Sequence, residues 1–168
     1  TDATADVVRR RAPDFPVHLR LVDASLRQGA GQARNVGVLH SRGSFLLFCD
    51  CDDEVMPGWI EGAAEALAKA DLVGGPSHEL TAPRNEDSPL TNPTILWGRG
   101  DVKAAHSCNM GVRRTTFFRA GGFDESLPPY GCEDVELAIR LHEAGGTTQP
   151  APAMRIFFRR TQGVLMIL

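Results

Sequence analysis

Residues Ser44 to Trp59 read SFLLFCDCDDEVMPGW, and the order of residue types in this stretch decides how the chain is read. Phe45 to Phe48 and Cys49 form a short apolar run of the length and character of a buried strand in a parallel sheet. The run leads directly into Asp50, Asp52 and Asp53. Carboxylates this close repel one another, and folding gains nothing from gathering them unless a cation or a cationic ligand compensates. In open α/β sheets, ligands bind beyond the carboxyl ends of the strands. The strand therefore carries hard oxygen ligands to the place where such a sheet keeps its site. They suit Mg²⁺ or Mn²⁺, which commonly join one or two carboxylates to a substrate's phosphates. A solvated turn or a helix cap is the structural alternative for an isolated Asp-x-Asp-Asp.

Upstream, Thr4 to Ala12 reads as a helix closed by Pro13 and Pro16. Val17 to Val22 (VHLRLV) alternates apolar and polar residues over the length of a strand. Gly29 and Gly31 permit a tight loop, and Ala33, Val36, Gly37 and His40 then fall on one face of a helix that ends at Gly43. Strand, loop, helix and strand in this order mark an α/β sheet. The small residues at the helix start let backbone N–H groups approach an anion, although either glycine alone is equally well explained by the turn.

Downstream, Pro57 opens a helix over Trp59 to Ala70, with Ile60, Ala63, Ala64, Leu67 and Ala68 as its packing face. Asp71 to Gly75 reads as a short strand. Pro76 to Asp101 reads as a long loop, and loops of that length are usually functional or mobile. Within it, Trp97 is either a core residue or an exposed ring able to stack on a sugar. His106 to Arg119 reads as a strand turning into a helix that stops at Gly121 and Gly122. A last helix runs from Glu133 to Gly145, with either Val135, Ile139 and His142 or Leu137 and Leu141 as its apolar stripe, and Glu136 and Arg140 as an i,i+4 pair. Glu133 and Asp134 then lie in the first turn, where negative charge favours the helix dipole and where a carboxylate is also placed to accept a proton.

The 168 residues, 42% hydrophobic and 23% charged, fit one globular domain over 1–168 with no internal boundary. A net charge of −3 argues against a nucleic-acid partner. The basic run Arg9 to Arg11 is short enough to be a solvated helix end. Cys49, Cys51, Cys108 and Cys132 do not make a disulfide framework, and no second Cys pair completes a structural zinc site. Buried free thiols are expected. No apolar run is long enough to span a bilayer.

Three separated blocks share one resemblance. GAGQARNVGVLHSRGSFLLFCDCDDEVMPGWI (Gly29 to Ile60) resembles the family 2 glycosyltransferases, whose core reads G-x-x-x-A-R-N-x-G, an apolar strand, then D-x-D-D with a following proline and tryptophan. SCNMGVRRTTFFRAGGFDESL (Ser107 to Leu127) is similar to that family's N-x-x-x-R-R and G-G-F-D-E segment. GCEDVELAIRLHEAGG (Gly131 to Gly146) is similar to its E-D-x-x-L-x-x-R-L helix.

The resemblance implies a GT-A fold, an α/β architecture with a mostly parallel central sheet. It further implies transfer of a sugar, with inversion, from a nucleoside diphosphate donor to an acceptor hydroxyl on a glycan, a lipid-linked molecule or a small molecule. Asp50 and Asp52 match the metal-binding D-x-D, so Mn²⁺ or Mg²⁺ is the implied cofactor. Arg34 and Asn35 fall on the donor side. Asp134 matches the general base and Glu133 the residue beside it that orients base or acceptor. Asp53 and Trp97 are the acceptor-side candidates. A cytoplasmic location, extending to the inner face of the membrane where lipid-linked acceptors lie, follows from the same resemblance.

The chain departs from the family pattern in three ways. Val17 to Val22 matches the third strand, so a piece lacking the first β-α-β unit is expected. The Q-x-x-R-W signature of processive synthases is absent. Cys51 and Cys132 stand where small polar residues or glycine are usual. Two other readings stay open. One is a transferase-like domain that binds nucleotide or sugar without turnover. The other is a haloacid dehalogenase-type phosphatase with Asp50 as nucleophile, a family whose D-x-D-x-T/V motif Glu54 does not match.

Overall fold

A computed structural model describes residues 3–80, 84, 87, 90–92, 96–97, 102–128 and 131–159; of residues 91, 92, 96 and 97 it describes the backbone alone. Helix α1 spans Thr4–Arg11 and passes into a 3₁₀ turn at Ala12–Asp14, where Pro13 supplies the stop. Helix α2 is Ala30–His40 and strand β1 is Phe45–Cys49. After the acidic turn come β2 (Glu54–Val55), α3 (Trp59–Leu67), β3 (Leu72–Gly74) and β4 (Ser77–Glu79). Strands β5 (Leu90–Asn92), β6 (Leu96–Trp97) and β7 (Lys103–Ala104) precede β8 (Asn109–Arg113). Helices α4 (Arg114–Arg119) and α5 (Glu133–Glu143) and strands β9 (Thr148–Pro150) and β10 (Ile156–Phe158) complete the order.

The main sheet has strand order β1-β8-β3-β9. β8 is antiparallel to both β1 and β3, and β9 is parallel to β3. Three of its four strands thus share a direction, with β8 inserted the other way. Alternation along β1 sends Leu46 and Phe48 to one face and Phe45 and Leu47 to the other, as the pleat requires. On the first face they meet Val38 of α2, Phe117 of α4 and Leu137, Ala138 and Leu141 of α5. On the second, Trp59, Ala63 and Leu67 of α3 pack with Val73, Met154 and Ile156. The result is a sheet between helical layers. Gly111, in mid-strand on β8, is what lets α3 settle: a Cβ there would lie 2.8 Å from Val73 Cγ2 and 3.2 Å from Leu67 Cδ1. A second sheet, β2-β10-β4-β5, begins with the strand that follows the acidic turn, so that turn joins the edge strands of two sheets.

Several sequence expectations are corrected here. Val17 to Val22 forms no strand: the segment is irregular, and Val17 (65% exposed) and Leu21 (43%) lack the burial that alternation implies. An alternating pattern becomes a strand only when a neighbouring edge accepts its hydrogen bonds. Helix α2 buries Gly31, Gln32 and Val38, whereas Ala33, Val36, Gly37 and His40 face an open groove of about 780 Å³ shared with His18 to Ala24. Helix α3 buries Trp59, Gly62, Ala63 and Leu67 and leaves Ile60 64% exposed. The loop expected from Pro76 contains β4, β5 and β6, each too short to show periodicity. On α5 the stripe is Leu137, Ala138 and Leu141. Arg140 pairs with Glu136 as expected and also donates to the Ala120 carbonyl. Of the thiols, Cys108 alone is buried, which pushes it up to about 12, while Cys49, Cys51 and Cys132 are exposed.

Candidate functional site

Strand β1 delivers Asp50 at its carboxyl end, and α5 delivers Glu133 and Asp134 in its first turn. The two elements are brought together by α2. Gly31, in its first turn, is buried, and a Cβ there would sit 3.2 Å from Phe123 Cβ and 3.8 Å from Glu133 Cβ. That close approach puts Arg34, one turn further on, between the acidic sites. Its Nη2 donates to Asp50 Oδ1 and its Nη1 to Glu133 Oε1, both at 2.8 Å. Arg34 and Glu133 are each 14% exposed and Asp50 is 40% exposed. Ser107 adds a hydroxyl 3.3 Å from the same Glu133 oxygen.

Asp134 is held by backbone. Its Oδ2 accepts from Ser107 N–H at 3.1 Å, its Oδ1 from Val135 N–H at 2.8 Å, and His106 Nδ1 lies 4.0 Å from Oδ2. A carboxylate has about four lone-pair sites, so an incoming hydroxyl still finds an acceptor. Cys132, just before this turn, has φ 69°, a left-handed conformation that favours glycine.

The rest of the acidic turn is tied to the chain after β10. Arg159 donates its backbone N–H to Asp53 Oδ1 at 2.9 Å and its Nε to the Asp52 carbonyl at 3.1 Å. Asp53 Oδ2 is buried without a hydrogen-bond partner among the described residues. Burial, reinforced by Asp52 and Asp50 and opposed by the Arg159 N–H, pushes Asp53 up from 3.8 to about 6. The Asp52 side chain is exposed.

Asn35, expected on the donor side, bonds within the protein in this structure. Its Oδ1 accepts Phe123 N–H at 3.0 Å, and its Nδ2 donates to Phe123 O and to Glu125 Oε1, both at 2.9 Å. It clamps the Gly-Gly-Phe-Asp-Glu loop. Gly122, with φ 75°, is required there because a Cβ would approach Asn35 Oδ1 to 3.0 Å. The Trp97 side chain lies outside the described residues.

Sequence reasoning missed the bridging role of Arg34 and the role of Asn109. The Asn109 side chain, 1% exposed, accepts Trp59 Nε1–H at 2.8 Å and donates to Pro76 O at 3.1 Å and Met154 O at 2.8 Å. It fastens α3 to the chain beside both sheets. The N-x-x-x-R-R block contained it, but nothing in the block names its partners.

Among the described residues no three His, Cys, Asp or Glu side chains converge as a metal cage. The donor set Asp50 and Asp52 nevertheless fits a hard cation that shares its shell with phosphates: both offer oxygen only, and the Asp52 carboxylate is exposed with no partner among the described residues.

The family model for Glycosyl transferase family 2 matches residues 1–127. The chain belongs to glycosyl transferase family 2. A second model, N-terminal domain of galactosyltransferase, matches residues 96–164, which include Glu133 and Asp134. The Succinoglycan biosynthesis protein ExoM of Rhizobium meliloti is 33% identical over 71% of this chain and 41% of its own length. Polypeptide N-acetylgalactosaminyltransferase 4 of Mus musculus is 22% identical over 82% of this chain and 28% of its own length. The family 2 chain thus spans well under half of these relatives.

Among solved structures, the mannosyltransferase PcManGT from Pyrobaculum calidifontis, in complex with GDP-Man and Mn²⁺, superposes with a TM-score of 0.69 at 22% identity, covering 98% of this chain and 46% of that one. GalNAc-T7 with UDP, GalNAc and Mn²⁺ gives 0.68 at 16% identity, covering 94% of this chain and 35% of that one. The fold is the GT-A glycosyltransferase fold. The phosphatase alternative falls with the family match.

Proposed function

We propose that this family 2 chain carries the donor carboxylates and the base of a glycosyltransferase that moves a sugar from a nucleoside diphosphate donor to an acceptor hydroxyl with inversion. The observation that carries the reading is the meeting of the two acidic sites: Asp50 at the end of β1 and Glu133 beside Asp134 at the start of α5, joined across Arg34 at 2.8 Å on each side. Asp134 takes the proton of the acceptor hydroxyl. The oxygen forms its bond to the anomeric carbon from the face opposite the diphosphate, and the bond to the diphosphate oxygen breaks with its electron pair on the leaving group. One base suffices and no enzyme nucleophile is needed. Glu133, fixed by Arg34 and Ser107, sets the position of the first turn of α5 and so of the base.

Asp52 and Asp50 would hold Mn²⁺ or Mg²⁺, whose charge would neutralise the departing diphosphate. Two related proteins of known structure are complexes that contain Mn²⁺ together with GDP-Man or UDP, which supports a nucleotide donor and a divalent ion without choosing the base. The acceptor is proposed as a hydroxyl on a glycan, lipid-linked or small molecule, and the relative named for succinoglycan biosynthesis supports the first of these. A cytoplasmic location, reaching the inner membrane face, belongs to the same proposal.

The test is binding of UDP, GDP and dTDP with and without Mn²⁺ to the wild type and to Asp52→Ala, followed by donor-sugar turnover in Asp134→Asn. Metal-dependent binding of one nucleotide, lost in Asp52→Ala, is expected. Turnover should fall about 10²-fold or more in Asp134→Asn with nucleotide binding retained. Metal-dependent binding that survives in a folded Asp52→Ala protein would refute the assignment of the donor site. Binding with no turnover in the wild type would favour the non-catalytic reading.

A further inference from the structure

The acidic turn was expected to need a cation from outside, yet the chain supplies one of its own. Arg34 is 14% exposed and sends its two terminal nitrogens in different directions, one to Asp50 and one to Glu133. Its guanidinium also lies 5.8 Å from the centre of the Phe123 ring, which Asn35 holds in place. The planar fork of arginine permits this double engagement; a lysine ammonium would have no such geometry. One of the two Asp50 oxygens is therefore taken by the protein itself. The second oxygen stays open to a cation, and the guanidinium charge held 2.8 Å from the first opposes any divalent ion that draws on Asp50.

Resting on the assignment of Asp50 and Asp52 to a divalent ion, we propose that Arg34 is a latch between the donor carboxylate and the base-bearing helix. With Asp50 free of other partners, the guanidinium closes on Asp50 and Glu133 together. When a cation draws on Asp50, the guanidinium is released to Glu133, which retains it at the first turn of α5. Occupancy at the end of β1 and the setting of the Glu133 to Asp134 turn are then linked, and by reciprocity each biases the other. Arg34 in this scheme is a positioning residue. It acts on the base through Glu133, and on the ion by competing for Asp50.

The experiment titrates Mn²⁺ alone into the full chain and counts free Mn²⁺ by electron paramagnetic resonance, in the wild type, Arg34→Gln, Glu133→Gln and the double variant. Removing the competing charge in Arg34→Gln should tighten Mn²⁺ binding about twofold to fivefold, the scale of a partly exposed ion pair. Glu133→Gln leaves the guanidinium with Asp50 alone and should weaken binding by about the same factor. The decisive result is the double variant, because contacts that act through one side chain are not additive. It should match Arg34→Gln, since without the arginine Glu133 has no route to Asp50. Additive effects would mean that only overall charge matters and would overturn the latch, as would unchanged affinity in Arg34→Gln. If Arg34→Gln does not fold, Arg34→Met, which keeps the apolar stem and removes the guanidinium, takes its place and should tighten Mn²⁺ in the same way. No Mn²⁺ binding in any folded variant would overturn the latch and the cation assignment together. Metal-dependent nucleotide binding with no response to Arg34 would overturn the latch alone.

Discussion

Replacing Asp53 by asparagine should stabilise the protein at neutral pH and leave it unchanged in mild acid. Burial, with the charges of Asp52 and Asp50, raises this carboxyl from 3.8 to about 6, and its Oδ2 has no partner among the described residues. A folded-state value above the unfolded one means that the native protein holds the proton more tightly. The group's contribution to stability is thus fully present below about pH 4 and is lost as pH rises through about 6. Unscreened, a displacement of that size corresponds to about 3 kcal/mol. The side chain is partly open to water, which reduces the figure to about 1 kcal/mol. Asparagine keeps an acceptor for the Arg159 N–H and carries no charge to bury. Urea unfolding of both proteins, followed by circular dichroism from about pH 4 to about pH 7.5, isolates the group as a difference. The advantage of Asp53→Asn should grow from near zero to about 1 kcal/mol across that range. A difference that stays flat, or that shrinks as pH rises, refutes the reasoning.

Two further predictions concern the frame around the site. Asn109→Ala strands Trp59 Nε1–H and the Met154 carbonyl, both buried, and leaves the Pro76 carbonyl with the Ile156 N–H alone; it should cost about 2–4 kcal/mol, read as a lower urea midpoint with tryptophan fluorescence as the probe, and a loss under about 1 kcal/mol would contradict the network. Gly75→Ala places a Cβ 1.6 Å from the Met154 carbonyl oxygen, so backbone must move. A loss of at least about 2 kcal/mol is expected, seen as a lower thermal midpoint, and tolerance within about 0.5 kcal/mol would show that the junction is looser than it looks.

What the sequence made legible was local. The Phe45 strand was readable as an apolar run that ends in charge and the Glu133 helix as a period with a stop signal, and each appears within a residue or two of its expected bounds. Val17 to Val22 was misread because alternation states which faces differ and says nothing about whether an edge is present to pair with. For α2 the sequence named one face without saying what covers it. Its Ala33, Val36, Gly37 and His40 stripe is regular, but Gly31, Gln32 and Val38 are what the sheet and α5 cover. The acidic pair at the start of α5 was found, whereas its partner was not. Arg34 lies 16 residues from Asp50 and 99 from Glu133, and no local pattern encodes a contact at those separations.

The sequence set Asp53 apart from Asp50 and Asp52 by motif alone, and their surroundings make all three unequal. Asp50 is engaged by Arg34, and Asp53 is half-satisfied by the Arg159 N–H with one oxygen buried. The carboxylate of Asp52 is exposed and has no partner among the described residues, its backbone carbonyl alone being tied down. A cation arriving from solvent therefore meets Asp52 first, without displacing anything. Drawing on Asp50 next sets the ion against the guanidinium held 2.8 Å from its Oδ1. On the proposed reading, Asp52 supplies the greater share of affinity and Asp50 supplies the link to the base helix. The residue nearest solvent does the capturing, and the one paired to Arg34 carries the consequence across the site.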